Sequence, residues 1–163
     1  MEYLNTLKRS KELFIEDINN HEFTINNVIS KSKFLVIGGA GTIGQAVVKE
    51  IFFRNPKVLH VVDINENNLV ELVRQLRSST FRLNGEFKTF CLDMGSDIFE
   101  LFINNSDNYD FVLNLSAMKH VRSERDPFTL LRLIDTNLIN SIKLINLTSH
   151  WPEVKHFYVS TDK

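Results

Sequence analysis

Seven consecutive residues, Gly38-Gly39-Ala40-Gly41-Thr42-Ile43-Gly44, carry the clearest chemical signal in the chain. They follow the apolar run Phe34-Leu35-Val36-Ile37 and open a helical pattern, so a strand turns here into a helix whose first amides face outward. Glycine suits the turn because the strand must reverse sharply, a diphosphate must approach the backbone, and the helix must pack closely on the strand. The positive end of that helix receives the anion. Asp63 ends the next apolar run, VLHVVD, 19 residues beyond Gly44. A carboxylate at that distance accepts hydrogen bonds from the hydroxyls of an adenosine ribose and repels a 2′-phosphate, which favours NAD over NADP. Arg54 and Arg74 keep a 2′-phosphate acceptor open as the alternative. Residues 34–63 thus read as strand, turn, helix and strand around a dinucleotide pyrophosphate, with Gly38, Gly41, Thr42, Ile43, Gly44 and Asp63 as the expected contacts.

Later segments add to the same site. Asp93 and Met94 follow Thr89-Phe90-Cys91-Leu92, and Asp93 has two readings, one at the adenine edge and one as the N-cap of the next helix. Leu115-Ser116-Ala117 follow a fourth apolar run, where small residues let a cofactor lie against the backbone. Arg122, Arg125 and Asp126 form a charged loop before Pro127, with diphosphate binding by either arginine as the alternative.

The elements that position these residues alternate strand and helix. Strands are expected at Lys33–Ile37, Val58–Val62, Phe87–Cys91, Phe111–Leu115 and Lys155–Ser160. Helices are expected at Thr42–Phe53, Asn67–Ser78, Asp97–Asn104 and Pro127–Thr148, with Asn55-Pro56 ending the first of them. Right-handed crossovers then give a Rossmann-like, doubly wound parallel sheet of order 3-2-1-4-5, an α/β fold. Its ligand crevice lies beyond the carboxyl ends of the strands, which gathers residues 38–44, 116–119 and 160–163. Residues 1–30 read as a helical extension, with a helix near 3–18 carried by Leu4, Leu7, Phe14 and Ile18. It either packs on its own domain or reaches a neighbouring subunit. Residues 31–163 form the dinucleotide-binding domain.

A chain of 163 residues with 43% hydrophobic and 24% charged residues holds one ordinary core, for which the 13 phenylalanines supply bulk. A net charge of −1 without a block of like charge argues against nucleic acid and anionic lipid as partners. The single cysteine, Cys91, is expected to be a buried small hydrophobe, and no metal site is expected. No apolar window reaches membrane-spanning length and the N-terminus lacks the apolar core of a signal peptide, so the expected location is the cytoplasm.

The segment LNLSAMKHVRSERDPFTLLRLIDTNLINSIKLI, followed by FYVSTDK, resembles the nucleotide-sugar 4,6-dehydratases of the extended short-chain dehydrogenase/reductase superfamily. More narrowly, it is similar to the polysaccharide-biosynthesis branch that acts on UDP-N-acetylglucosamine. The resemblance runs from Lys33 to Lys163, and its most specific pieces are Ala117-Met118-Lys119-His120-Val121, Thr136-Asn137 and Ser160-Thr161-Asp162-Lys163. It implies an enzyme that oxidises C4 of the sugar with bound NAD, eliminates water across C5 and C6, and returns hydride to C6. Asp162 is then the acid for the departing hydroxyl, Lys163 the base for the C5 proton, and Thr161 a hydrogen-bonding partner near the 4-hydroxyl. Lys119 and His120 would contact nucleotide-sugar or cofactor, or else be a solvated lysine and a packed histidine. Asn137 would support the active-site backbone.

The family's Tyr-x-x-x-Lys pair, in which some long membrane-bound relatives carry methionine for the tyrosine, has no match here: none of Tyr3, Tyr109 and Tyr158 is followed four residues later by lysine. The expectation is therefore an N-terminal portion of a longer dehydratase, lacking the later strands and the substrate-binding part, which binds dinucleotide but turns over poorly or not at all on its own. Its partners would be a UDP-sugar and further copies of the chain. A nucleotide-sugar 4-epimerase or reductase and a non-catalytic dinucleotide module are the competing readings.

Overall fold

The computed structural model describes residues 14–118 and 126–159. Five strands, β1 (Lys33–Ile37), β2 (Val58–Asp63), β3 (Glu86–Cys91), β4 (Phe111–Asn114) and β5 (Lys155–Tyr158), form one sheet of order β3-β2-β1-β4-β5, as the alternation predicts. All neighbours are parallel, with Ile37 level with Val62 on one side and Asn114 on the other. The helices are α1 (Ile15–Lys31), α2 (Thr42–Phe53), α3 (Glu66–Ser78), α4 (Asp97–Asn104), α5 (Pro127–Ile134) and α6 (Asn140–Thr148).

A buried central strand must be apolar on both faces, and β1 is. Phe34 and Val36 point to one side, where they meet Leu59 and Val61 of β2, Val48, Ile51 and Phe52 of α2, and Leu69, Leu72 and Leu76 of α3. Leu35 and Ile37 point to the other, toward Phe99 and Ile103 of α4, Val112, Leu144 of α6 and Trp151. Each such large side chain, fully buried, contributes about 1.5–3 kcal/mol. Local chemistry sets the helix starts. Asn65 Oδ1 accepts from Asn68 N–H (3.0 Å) below α3, Ser96 Oγ from Phe99 N–H (3.2 Å) below α4, and Asp126 Oδ2 from Thr129 N–H (2.7 Å) below α5. Asn55, in the left-handed region at φ 59°, turns the chain after α2 toward Pro56.

The structure departs from the expected elements in four places. The N-terminal helix is α1, Ile15–Lys31, so it continues 13 residues past the expected end at residue 18, while residues 3–13 lie outside those described. Asn19, Asn20, Asn26 and Asn27 are weak helix formers, but Ile29 packs on the first core and Arg54 Nη1 donates to Asn26 Oδ1 (2.5 Å). The helix expected over 127–148 is interrupted by a π-helical turn at Asp135–Ile139. Cys91 is exposed rather than buried, because β3 is an edge strand, and its thiol faces Ile64 O (3.6 Å). The phenylalanines divide: Phe34, Phe52 and Phe99 are core, whereas Phe14, Phe23, Phe128 and Phe157 are exposed.

Two histidines make the fold sensitive to acid. His60 lies between Tyr109 OH (2.5 Å from Nδ1) and Glu86 Oε1 (2.6 Å from Nε2). Burial pushes the Tyr109 phenol up to about 12, so it stays protonated and donates to Nδ1, and Nε2–H donates to the carboxylate. Desolvation outweighs the attraction of Glu86 and holds His60 below its ordinary value of 6.5; His156, beside Thr148 Oγ1 (2.7 Å), is also lowered by burial. The folded chain therefore binds fewer protons than the unfolded one just below that value. Stability should be fully present above the ordinary histidine value of 6.5 and fall as the pH drops below it. Melting temperatures measured from pH 7.5 down to 5 should decline, and less steeply in a His60→Gln, His156→Gln variant; a flat profile in the native protein would exclude the effect.

Candidate functional site

The chain passes from β1 into α2 through the glycine turn, and each glycine there has a separate reason. Gly38 adopts φ +71°, and a Cβ on it would lie 2.5 Å from Ser116 N, because the ends of β1 and β4 approach closely at this point. A Cβ on Gly44 would lie 2.1 Å from Gly38 O, so α2 seats directly on the turn. Gly41 differs. Its backbone is extended (φ −70°, ψ 170°), and an added Cβ would meet only Gly38 O at 3.5 Å, an ordinary contact. Neither conformation nor packing asks for glycine at 41, but the residue lines a cleft and caps α2 at its N-terminus. Thr42 and Ile43, both exposed, form the first turn, whose amides lack intrahelical acceptors. Such a cradle suits a diphosphate.

The cleft has a volume of about 320 Å³, within the range of roughly 300–1,000 Å³ common to ligand sites. Its walls include Gly38, Gly41, Asp63, Asp93, Met94, Leu115, Ser116 and Ala117, so the structure brings together eight of the residues named from the sequence. Asp63 closes the glycine turn: Oδ2 accepts from Ala40 N–H (2.9 Å) and Oδ1 from Asn65 N–H (2.9 Å). A carboxylate has about four acceptor positions, so two remain for a ligand. Asp93 Oδ1 accepts from Gly95 N–H (2.9 Å), and Ser96, not Asp93, caps α4. Arg54 sits at the opposite end of α2, 3.4 Å from Glu50, and Arg74 lines a separate cavity with Arg77 and Cys91.

On the opposite wall, Arg132 and Asn140 were not read from the sequence, whereas Thr136 belongs to the Thr136-Asn137 piece of the resemblance. Arg132, Thr136 and Asn140 line this wall from α5, the π turn and α6. Arg132 approaches Asp93 Oδ2 at 3.6 Å across the cleft mouth; at this exposure the pair contributes about 0–1 kcal/mol. Within the π turn Asn137 brackets the main chain of Met118, accepting from its N–H (2.8 Å) and donating to its carbonyl (2.9 Å). Beneath the cleft floor the buried Asn114 uses both ends of its amide: Oδ1 accepts from Ser116 N–H and Oγ–H, and Nδ2 donates to Ser141 Oγ (3.1 Å). The polar Asn140 on the same helix face as buried Leu144 and Thr148 was a signal available in the sequence. Lys119, His120, Arg122, Arg125, Thr161, Asp162 and Lys163 lie outside the described residues.

A parallel sheet of this order, with a glycine turn after β1 and an acid at the end of β2, defines a Rossmann-like, doubly wound domain. Residues 34–163 match the polysaccharide biosynthesis protein family, and the chain belongs to that family. It is similar to an uncharacterized membrane protein of Methanocaldococcus jannaschii, 34% identical over 140 residues, which cover 85% of this chain and 39% of that protein. It is also similar to a bifunctional UDP-glucose 4-epimerase and UDP-xylose 4-epimerase of Pisum sativum, 31% identical over 121 residues, 72% of this chain and 33% of that enzyme. The fold resembles that of the Bordetella bronchiseptica enzyme WbmF in complex with NAD+ and UDP, with a TM-score of 0.61 and 20% identity over 80% of this chain and 36% of that one. The chain thus spans only 33–39% of the length of these two curated relatives. Among the described residues, no helix is long and apolar enough to cross a membrane.

Proposed function

We propose that the chain forms the NAD-binding part of a nucleotide-sugar 4,6-dehydratase that converts UDP-N-acetylglucosamine to a 4-keto-6-deoxy sugar in polysaccharide biosynthesis. The observation that carries the cofactor part of this reading is Gly41, whose missing side chain serves the cleft and not the fold. Asp63 supports NAD over NADP, since a carboxylate with acceptor capacity to spare suits ribose hydroxyls and repels a 2′-phosphate. Family membership supports a role in polysaccharide biosynthesis, and the sequence Ser160-Thr161-Asp162-Lys163, by its resemblance to the dehydratases, supports the dehydration.

NAD bound in the cleft would supply a hydride acceptor for C4 and a donor for C6 of the sugar, and the proton of the 4-hydroxyl would pass to the Tyr-x-x-x-Lys pair that the resemblance implies for the longer enzyme. Asp162 protonates the departing 6-hydroxyl, Lys163 removes the C5 proton, and Thr161 hydrogen-bonds near the 4-hydroxyl. Lys119, two residues after Ala117 in sequence, is a further candidate contact to the nucleotide-sugar or cofactor. Asn137 holds Met118, and with it the strand end that the sugar approaches. Further copies of the chain would cover the exposed apolar side chains Phe128, Leu131, Leu138 and Ile142.

A second reading, a nucleotide-sugar 4-epimerase, is favoured by the similarity to the Pisum sativum enzyme. Incubation of the full-length enzyme that carries this chain with NAD and UDP-N-acetylglucosamine, followed by mass spectrometry, should give a product lighter by one water. Asp162→Asn should slow its formation by about 100-fold or more. A product that retains the 6-hydroxyl selects the epimerase, and NAD binding without turnover selects a non-catalytic dinucleotide module.

A further inference from the structure

Asn140 is 7% exposed and lines the cleft, yet its side-chain amide has no hydrogen-bond partner among the described residues. The contrast with Asn114 is direct. That buried amide uses both its ends within the protein, as buried polar groups in folded chains do. Asn140 instead packs on the turn after β3, where a Cβ at Gly95 would lie 2.8 Å from its Nδ2, and it faces the cleft beside Asp93 and Met94. The cleft is where a partner can reach it.

The strand order says which part of a dinucleotide would reach it. The diphosphate cradle lies beyond β1, and Asp63, suited to a ribose, lies at the end of neighbouring β2. One strand further, beyond β3, the walls are Leu92, Asp93 and Met94, with Ile64 beside them and Asn140 opposite. Apolar side chains there suit the faces of a flat ring, and the amide and carboxylate suit its polar edge.

We infer that Asn140 reads the adenine base of the bound dinucleotide, an assignment that rests on the reading of the cleft as an NAD site. The carboxamide oxygen accepts from the 6-amino group and its NH2 donates to N7, the two-bond pairing that asparagine makes with adenine. Asp93 Oδ2 lies on the same side, held by Arg132. Hypoxanthine, with an oxygen at position 6, presents two acceptors on that edge, so one of the two bonds is lost.

Calorimetric titration of the protein with NAD and with nicotinamide hypoxanthine dinucleotide tests this. NAD should bind about 10-fold more tightly, and Asn140→Leu should weaken NAD by about 10-fold and narrow the difference between the two ligands to about 2-fold. Equal affinity of the native protein for both ligands overturns the assignment without recourse to a variant. A folded Asn140→Leu protein that keeps native affinity and preference overturns the assignment alone. A native protein that binds neither dinucleotide overturns the cofactor reading as well.

Discussion

Replacing Gly41 with valine should abolish NAD binding, weakening it by about 100-fold or more, roughly 2.7 kcal/mol, while the protein remains folded. The argument rests on what the glycine does not do. Its φ of −70° is open to any residue, and an added Cβ touches only Gly38 O at an ordinary 3.5 Å. Two further methyl groups project into the cleft, across the amides at the start of α2 that a diphosphate needs. The fold loses only a favourable N-cap residue, about 1 kcal/mol or a few degrees of melting temperature. Titration calorimetry and thermal melting on the same sample separate the two effects. Retained affinity, or gross unfolding, would sink this account of the turn.

Much of this architecture was legible because it is written in local patterns. Phe34-Leu35-Val36-Ile37 is apolar at every position, which a strand tolerates only when both its faces are covered, and both are. The glycine turn and Asp63 were legible because their spacing follows from one ligand's dimensions. The register of α1 was not, because its asparagines argue against helix locally, whereas the contacts at Ile29 and Asn26 come from β1's neighbourhood and α2. Cys91 shows a different failure. The run Thr89-Phe90-Cys91 reads as a strand in any environment, and only the strand order makes β3 an edge that leaves the thiol exposed. Arg132 and Asn140 reach the cleft from helices about 40 residues beyond Asp93 in sequence, and the one signal there, a polar residue on an apolar helix face at Asn140, does not by itself mark a ligand. The π turn follows the same logic: Asn137 leaves the regular helix to hold Met118, a partner 19 residues away.

Gly44→Ala should fail in the opposite way, destabilising the protein by about 3 kcal/mol or more even though it adds a single methyl group. The new Cβ would lie 2.1 Å from Gly38 O and 2.7 Å from Gly39 Cα. Both are backbone atoms, so no side chain can swing aside to make room. Moving α2 away from the turn would uncover Val48, Ile51 and Phe52, which pack on Phe34, Val36, Leu59 and Val61 at the centre of the first core. Moving the turn instead would disturb Gly38, already committed to φ +71° and to close approach with Ser116. Urea denaturation should show the midpoint falling with little change in slope, and the melting temperature should drop by about 10 °C. Native stability in Gly44→Ala would mean that α2 does not seat on the glycine turn. Cofactor binding would be lost here too, but only in proportion to the fraction unfolded, so excess NAD should partly restore the melting temperature. In Gly41→Val no concentration of NAD should do so, because the fold survives and the cleft itself is blocked.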